Sequence, residues 1–294
     1  MIALASRGSA LARAQAELAI RALAERFPNE EFTMVVVDSD GDLQPSAGPP
    51  DLPGQGWFTS RLERALLQGQ VDLAVHSAKD LPTEMAEGLV LSAYLPRADP
   101  RDALVADDGL TLERLPPHAR VATSSPRRAV QLLERRPDLV IEETRGNVDT
   151  RVGQVRKGRF EACVLAQAGL ARLGRGAEGC PLDPHSECTP APAQGAIVIQ
   201  ARQGTRFSEL ARAVDDASTR VCATAERLVL QQLGGGCRLP LGVLAEPLEG
   251  GRFQLTLAWG GSPGEPVRRL SRPTSDAGPE ALEALSRQLV REIA

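Results

Sequence analysis

The sequence has few cysteines, no excess of positive charge and no long apolar run. Its five cysteines are sparse and odd in number, which favours reduced thiols over a disulfide framework. The net charge of −4, from 34 basic and 38 acidic residues, is the opposite of what general nucleic-acid binding requires. No apolar stretch approaches the ~18 residues of a membrane span, and the first residues contain no basic n-region. We therefore expect a cytoplasmic protein without nucleic-acid or membrane partners.

The length and composition are those of a folded protein with more than one domain. At roughly 100 to 200 residues per domain, 294 residues predict two or three domains. Hydrophobic residues make up 42% of the chain and charged residues 24%, so a substantial core can form. Strand-like runs alternate with helical patterns through the first two thirds of the chain, which predicts α/β domains.

The patterns divide the chain into three domains. The first α/β domain takes residues 1–96 and 195–212, the second takes 97–194, and a small α+β domain takes 213–294. In the last domain, a hairpin with a Gly-Gly turn is followed by the amphipathic stretch PEALEALSRQLVREI. The Gly/Pro-rich stretch GDLQPSAGPPDLPGQG interrupts the first domain and predicts a loop.

Three βα turns place a helix-capping side chain close to arginine. The turns carry, in order, Arg7 with Ser9; Ser124 and Ser125 with Arg127 and Arg128; and Arg145, Gly146 and Asn147 with Arg151. The unpaired N–H groups of a helix start and a guanidinium can bind the same anion. Such turns lie at the carboxyl ends of strands, where open α/β sheets bind ligands. Together they predict a site for a small polyanion, although a single such turn is more simply a helix cap beside a surface arginine.

Asp80 follows Lys79 directly after a strand-like run. This position suits a catalytic acid, and it equally suits a structural ion pair with Lys79. His76 lies within the run, and we expect it to be a hydrogen-bonded core residue.

Cys237 lies between three glycines and Arg238. The glycines leave the thiol accessible and the arginine favours its thiolate, so the setting is that of a nucleophile. A small residue in a tight turn is the alternative. Cys180, His185 and Cys188 fit no common zinc spacing, so we expect no metal.

Nine stretches, in order along the chain, resemble the porphobilinogen deaminase family, whose members are also called hydroxymethylbilane synthases. They are ASRGSALARAQA, GWFTSRLERALL, DLAVHSAKDLP, DPRDALV, ATSSPRRAVQL, ETRGNVDTRV, LAQAGLARLG, PAPAQGA and LGGGCRLPLG. The resemblance implies two α/β domains of the type II periplasmic-binding-protein kind plus a small α+β C-terminal domain. It also implies a monomeric transferase of tetrapyrrole biosynthesis that removes ammonia from four porphobilinogen molecules and joins them head to tail into hydroxymethylbilane.

The resemblance further implies a role for each site residue. Asp80 is implied to be the catalytic carboxylate, and Cys237 the thiol that holds a dipyrromethane cofactor through a thioether. The residues implied to bind the cofactor are Lys79, Ser124, Ser125, Arg127 and Arg128. Those implied to bind the substrate and the growing chain are Arg7, Ser9, Gln15, Phe58, Arg145, Gly146, Asn147, Arg151, Arg172 and Gln194. In the loop before Phe58, Gln55 stands where the family commonly has lysine.

A non-catalytic polyanion-binding protein on the same two-domain scaffold is the competing hypothesis. Such binders usually carry an export signal, and they have no use for a cysteine in a third domain. The enzyme is therefore the favoured hypothesis.

Overall fold

The computed structural model describes residues 1–37, 60–235, 239–261, 265–274 and 278–293. The chain groups into two compact units. Residues 1–98, 196–223 and 234–236 belong to the first unit, and residues 99–195, 224–233 and 237–294 to the second. The division into three domains stays a prediction. Among the described residues, no helix combines the length and the apolar composition that crossing a bilayer requires.

The first unit begins with an alternation of strands and helices. Its elements up to residue 98 are β1 (Ile2–Ser6), α1 (Ala10–Arg26), β2 (Phe32–Val36), α2 (Ser60–Leu67), β3 (Leu73–Ser77) and β4 (Leu89–Tyr94). Ile2 and Leu4 of β1 share a core with α1, whereas Ala5 shares one with α2. Successive side chains of a strand point to opposite faces, so the sheet is covered on both sides.

The second unit repeats this plan. Its elements from residue 99 to 195 are β5 (Asp102–Ala106), β6 (Arg120–Ala122), α3 (Pro126–Arg135), β7 (Val140–Glu142), α4 (Val148–Arg156), β8 (Ala162–Ala166), α5 (Gln167–Arg172) and β9 (Cys180–Pro181). The core again alternates along the strands, since Val164 of β8 packs on one side and Cys163 and Leu165 on the other.

After residue 195 the chain completes the first sheet and then adds a third. The remaining elements are β10 (Ile197–Arg202), α6 (Arg206–Arg212), α7 (Ala217–Gln232), β11 (Leu241–Pro247), β12 (Phe253–Trp259), β13 (Arg268–Pro273) and α8 (Pro279–Ile293). The strands β11, β12 and β13 form an antiparallel sheet, and α8 buries Leu282, Leu289 and Ile293. The predicted hairpin turns at Gly250 and Gly251, which both have a φ of +73°.

The two larger sheets have the same strand order. The orders are β2-β1-β3-β10-β4 in the first unit and β7-β6-β8-β5-β9 in the second. In each sheet the fourth strand is antiparallel to its neighbours and enters from the other half of the chain, because β10 follows residues 99–195 and β5 follows residues 1–98. This is the strand order of type II periplasmic-binding-protein domains. The predicted fold class, with its small α+β C-terminal part, is confirmed.

Candidate functional site

The first predicted anion-binding turn connects β1 to α1. Ser9 caps α1, because its side-chain oxygen accepts a hydrogen bond from the backbone N–H of Ala12 at 3.2 Å. Arg7 precedes this cap and is half-buried, and Gln15 is buried farther along α1. Arg7 therefore precedes the positive end of a 17-residue helix by two residues, an arrangement that favours an anion.

Asp80 lies at the same edge of the first unit's sheet. β1 and β3 are parallel neighbours, so the residues that follow their last positions emerge together. After Ser77 the chain makes a single 3-10 turn, Ala78–Asp80, in which Lys79 is half-buried and Asp80 is exposed. A carboxylate and an arginine turn thus share one sheet edge.

His76 is buried in β3 just before this edge. Its Nε2 lies 3.0 Å from the side-chain oxygen of Gln200. Burial lowers the pKa of His76 to about 4 against the effect of the Gln200 hydrogen bond, and the charge of Arg7 lowers it further. The predicted role of His76 as a hydrogen-bonded core residue is confirmed, and the ring is neutral at ordinary pH.

The second and third predicted turns meet in the second unit. Ser125 caps α3 by accepting a hydrogen bond from the N–H of Arg128, and Pro126 occupies the first turn. The hydroxyl of Ser124 donates to the carbonyl of Thr144 at 2.5 Å and accepts from its N–H at 3.2 Å. β6 and β7 are parallel neighbours, so the turns that follow them lie side by side and Ser124 joins them.

The third turn requires its glycine. Asn147 caps α4 by accepting a hydrogen bond from the N–H of Thr150 at 2.9 Å. Gly146 has a φ of +107°, and a Cβ on it would lie 2.7 Å from Cγ2 of Thr150. Arg151 donates from Nε to the carbonyl of Gly146 at 2.9 Å. The turn therefore holds Arg151 against its own backbone while Arg145 and Asn147 stay exposed.

The two arginines of α3 converge on Asp102, the first residue of β5. Nη1 of Arg127 donates to Oδ2 of Asp102 at 2.6 Å, and Nε and Nη2 of Arg128 donate to Oδ1 at 3.0 and 2.6 Å. The side-chain amide of Gln194 donates to the same Oδ1 at 3.0 Å. Asp102 is completely buried, so one negative charge faces two positive charges away from water. The excess of positive charge suits a further carboxylate.

This cluster is fixed in place and permanently charged. Nη1 of Arg127 also donates to the carbonyl of Thr189 at 2.7 Å, and Nη1 of Arg128 donates to the carbonyl of Val164 at 2.8 Å. Burial by itself would raise the pKa of Asp102, but the attraction of Arg127 and Arg128 outweighs burial and lowers the pKa. Asp102 is therefore ionised throughout the ordinary pH range.

Two further arginines of the second unit have lowered pKa values. Burial lowers the pKa of Arg151, and repulsion by Arg128 lowers it further. Burial lowers the pKa of Arg172 to about 10. Nη2 of Arg172 donates to the carbonyl of Gly195 at 2.6 Å, whereas its buried Nε has no hydrogen-bond partner in the described part of the chain. An unpartnered buried N–H and neighbouring like charges favour an anion at these positions.

Two predicted site residues, Cys237 and Phe58, lie outside the described residues. The chain on the N-terminal side of Cys237 is described. There α7 ends at Gln232, and Gly234 and Gly235 follow with φ of +85° and +69°. The helix thus ends just before two glycines whose positive φ angles only glycine adopts without strain.

Sequence reasoning did not single out Asp102, although the stretch DPRDALV contains it. An acidic residue before an apolar strand was the only local signal. The residues that give Asp102 its place are distant in the chain, since Arg127 is 25 residues away and Gln194 is 92 residues away. Only the packing of α3 and the segment before β10 around β5 brings them together.

Within the described ranges, no group of three or more His, Cys, Asp or Glu side chains is arranged to hold a metal ion. Cys188 is buried with its sulfur 3.4 Å from Oδ2 of Asp102, and burial raises the pKa of this thiol to about 12. His185 instead lies 3.2 Å from a carboxylate oxygen of Glu246. Cys188 and His185, whose spacing in the sequence is unlike that of zinc sites, thus contact carboxylates in two different places.

Each unit by itself offers part of the predicted chemistry. The first presents the carboxylate of Asp80 beside an arginine turn. The second presents two capped helix starts, the buried Arg127 and Arg128 pair, and Arg172. Arginines grouped in this way can bind several carboxylates, and a carboxylate can stabilise positive charge that develops during a reaction.

Two family descriptions match the chain. "Porphobilinogen deaminase, dipyromethane cofactor binding domain" matches residues 2–210, and "Porphobilinogen deaminase, C-terminal domain" matches residues 220–260. The first match covers more than half of the chain and includes all three arginine turns.

Curated relatives agree with these matches. A porphobilinogen deaminase of Cutibacterium acnes is 47% identical over 86% of this chain and 80% of the relative. The porphobilinogen deaminase of Rubrobacter xylanophilus is 46% identical over 85% of this chain and 81% of the relative. That of Chlorobaculum tepidum is 38% identical over 97% of this chain and 91% of the relative. The similarity therefore extends over nearly the whole length of both chains.

Proposed function

Because the chain belongs to the porphobilinogen deaminase family, we propose that its dipyrromethane cofactor is attached to Cys237 through a thioether and that its grouped arginines bind the carboxylates of cofactor and substrate. The protein is a transferase of tetrapyrrole biosynthesis, a hydroxymethylbilane synthase. It deaminates four porphobilinogen molecules and joins them head to tail into hydroxymethylbilane, with release of ammonia.

The observation that carries the assignment of the cofactor site is the buried pair of Arg127 and Arg128 around the single charge of Asp102. The pyrroles of the cofactor bring acetate and propionate groups, and a cluster with an excess of positive charge fits them. We also assign Lys79, Ser124 and Ser125 to carboxylates of the cofactor. When bound, the cofactor supplies the primer from which the chain grows.

The substrate and the growing chain also carry two carboxylates on each pyrrole. For these we assign Arg7, Ser9, Gln15, Arg145, Gly146, Asn147, Arg151, Arg172 and Gln194, together with Phe58, which lies outside the described residues. The lowered pKa values of Arg151 and Arg172 support this assignment, because a bound carboxylate relieves both the like-charge repulsion and the unpartnered N–H.

Asp80 is the proposed catalytic carboxylate. When the bond between the aminomethyl carbon and nitrogen of porphobilinogen breaks, ammonia leaves with the bonding electrons and the pyrrole becomes positively charged. The carboxylate of Asp80 stabilises this charge by accepting a hydrogen bond from the pyrrole N–H. Its exposed position at the end of the 3-10 turn leaves it accessible to a substrate.

The comparisons do not support a non-catalytic polyanion-binding protein. We also infer that the enzyme acts as a monomer in the cytoplasm. The thiols of Cys163, Cys180 and Cys188 form no disulfide, which supports a reducing compartment. Light scattering after size-exclusion chromatography tests the monomer, since a mass of 31.3 kDa is expected and twice that mass would refute it.

The mass of the intact purified protein tests the cofactor and its attachment together. The wild-type protein is expected to exceed its sequence mass by two linked pyrrole units and to turn red with Ehrlich's aldehyde reagent. Cys237→Ala is expected to lose both signals. Cys180→Ala is the matched control, because it removes a half-exposed free thiol and should keep the extra mass. A fully active wild-type protein without the extra mass would refute the proposal.

A further inference from the structure

Glu226 of α7 binds two separate segments through their backbone N–H groups. Its Oε2 accepts a hydrogen bond from Ala193 at 2.5 Å, and its Oε1 accepts one from Ala245 at 2.7 Å. The side chain is completely buried. A buried carboxylate is unfavourable unless hydrogen bonds compensate for the lost water, so these two contacts are strong constraints on the segments that make them.

Ala193 adopts a backbone conformation that alanine disfavours. Its φ is +59°, in the left-handed region where the Cβ of an L-residue is crowded. The described chain has two other non-glycine residues with positive φ, Asp108 and His118, and both belong to types that enter this region more readily. Ala193 is also completely buried, so the surrounding contacts must hold it in place.

The conformation of Ala193 sets the direction of the next two residues. Gln194 donates from its side-chain amide to Oδ1 of Asp102 at 3.0 Å and to the carbonyl of Pro100 at 2.8 Å. The carbonyl of Gly195 accepts a hydrogen bond from Nη2 of Arg172 at 2.6 Å. If Ala193 returned to a negative φ, the chain direction would change and these contacts would separate.

We propose that Glu226 is a positioning residue for the anion-binding arginines. It holds Ala193 in the left-handed conformation, and Ala193 in turn places Gln194 on the Asp102 cluster and Gly195 on Arg172. In this role Glu226 acts on the arginines through the segment of residues 193–195. The inference rests on the proposed function, because it matters for turnover only if these arginines bind the cofactor and the substrate.

A pair of substitutions separates this role from simple stabilisation. Glu226→Gln keeps the shape but turns an N–H₂ group toward one of two N–H donors, so at least one of the bonds is lost. Ala193→Gly leaves Glu226 intact and lets the residue adopt a positive φ without strain. If Glu226 acts by imposing this conformation, glycine at position 193 reduces the need for it.

The measured quantity is the rate of hydroxymethylbilane formation per cofactor-loaded molecule, with loading taken from the intact mass. Glu226→Gln is expected to lower this rate about tenfold, and Ala193→Gly to leave it within about twofold. The double variant is expected to recover to within about threefold of Ala193→Gly. The matched control is Glu134→Gln, which removes another carboxylate that accepts a backbone N–H, that of Val267 at 2.9 Å. Its rate should stay close to wild type.

A normal rate in Glu226→Gln, or a loss that Ala193→Gly does not restore, would overturn the inference. If Glu226→Gln does not fold, Glu226→Asp takes its place, since its shorter side chain cannot reach both N–H groups. If neither Glu226→Gln nor Glu226→Asp folds, and adding Ala193→Gly restores folding to neither, then Glu226 contributes only to stability and the inference is overturned.

Hydrogen exchange distinguishes a failure of this inference from a failure of the proposed function. Exchange in the peptide covering residues 189–195 is expected to rise in Glu226→Gln and not in Glu134→Gln, whether or not the protein carries its cofactor. Unchanged exchange would refute the structural part of the inference. If exchange rises in Glu226→Gln as expected but the wild-type protein never acquires the extra mass, the structural part of the inference holds and the proposed function is refuted.

Discussion

Asp102 and Arg127 form a 2.6 Å ion pair in which the aspartate side chain is fully buried and the arginine side chain is 5% exposed. Arg128 adds a second bond of 2.6 Å to the same carboxylate. By contrast, Asp99 and Arg101 pair at 2.7 Å three residues or fewer from Asp102, with 31% and 42% of their side chains exposed. An Asp–Arg ion pair therefore occurs twice in one stretch of the chain, once partly exposed to water and once buried.

This contrast predicts different consequences for two similar substitutions. Asp102→Asn leaves two buried guanidinium groups with no counter-charge, and we expect it to lower the free energy of unfolding by about 3 to 5 kcal/mol. Asp99→Asn removes a solvent-exposed pair and should cost less than about 1 kcal/mol. Denaturant unfolding of the two variants beside wild type measures both values. Equal small losses would show that the buried pair contributes no more than the surface pair.

The same aspartate predicts how stability depends on pH. Its pKa is lower in the folded protein than in the unfolded chain, where it is about 3.9. The stability it contributes is therefore complete above the unfolded value and is lost as the pH falls toward the folded one. The difference in Tm between wild type and Asp102→Asn should be constant from about pH 5 to 8 and narrow below about pH 4. A difference that grew on acidification would contradict this assignment.

Asp80→Asn tests whether Asp80 supplies chemistry or structure. The amide keeps the shape and loses the charge, so we expect a Tm near that of wild type and a fall in turnover of about a hundredfold or more. Asp80→Glu keeps the charge in a displaced position and should retain more activity than the amide. The assay is hydroxymethylbilane formation by cofactor-loaded protein. Normal turnover of Asp80→Asn, or a loss matched by a large fall in Tm, would favour the structural ion pair with Lys79.

The arginines are expected to divide between cofactor and chain. Arg127→Leu or Arg128→Leu should chiefly prevent cofactor assembly, because both arginines belong to the buried cluster around Asp102. Arg145→Leu or Arg151→Leu should leave the cofactor in place and stall elongation. Native mass spectrometry of the folded protein shows the extra mass and any retained intermediates. The same loss of cofactor in all four variants would rule out the division.

Gly146→Ala should damage the third turn by a clash. A Cβ at this position meets Thr150 at 2.7 Å, whereas one at Gly158 meets nothing within 4 Å. Both glycines have positive φ, so both substitutions share a strain of about 1 to 2 kcal/mol and only Gly146→Ala adds the clash. We expect Gly146→Ala to slow elongation with the cofactor retained, and Gly158→Ala to lower Tm modestly at wild-type turnover. Equal activity of both variants would show that the third turn does not take part in elongation.

Local rules were enough to predict much of this protein from its sequence. Short apolar runs predicted the strands, and Ser9, Ser125 and Asn147 are the helix caps that their side chains suggested. These features could be predicted because a cap bonds within its own first turn and a strand that is buried on both faces is a short continuous apolar run. The arginine turns followed from the same local reasoning, whereas the identity of their ligand came from family resemblance.

The groups that meet from distant parts of the chain are set by three-dimensional packing. Asp102 between two arginines, and Glu226 on the strained Ala193, join residues that are 25 to 33 positions apart along the chain. No periodicity marks such partners, because their meeting depends on the order of strands in a sheet and on the packing of helices against it. A buried charge is stable only where that packing supplies its counter-charge and hydrogen bonds. Local sequence patterns therefore define the helices, strands and arginine turns, whereas the fold sets which buried charges hold them in place.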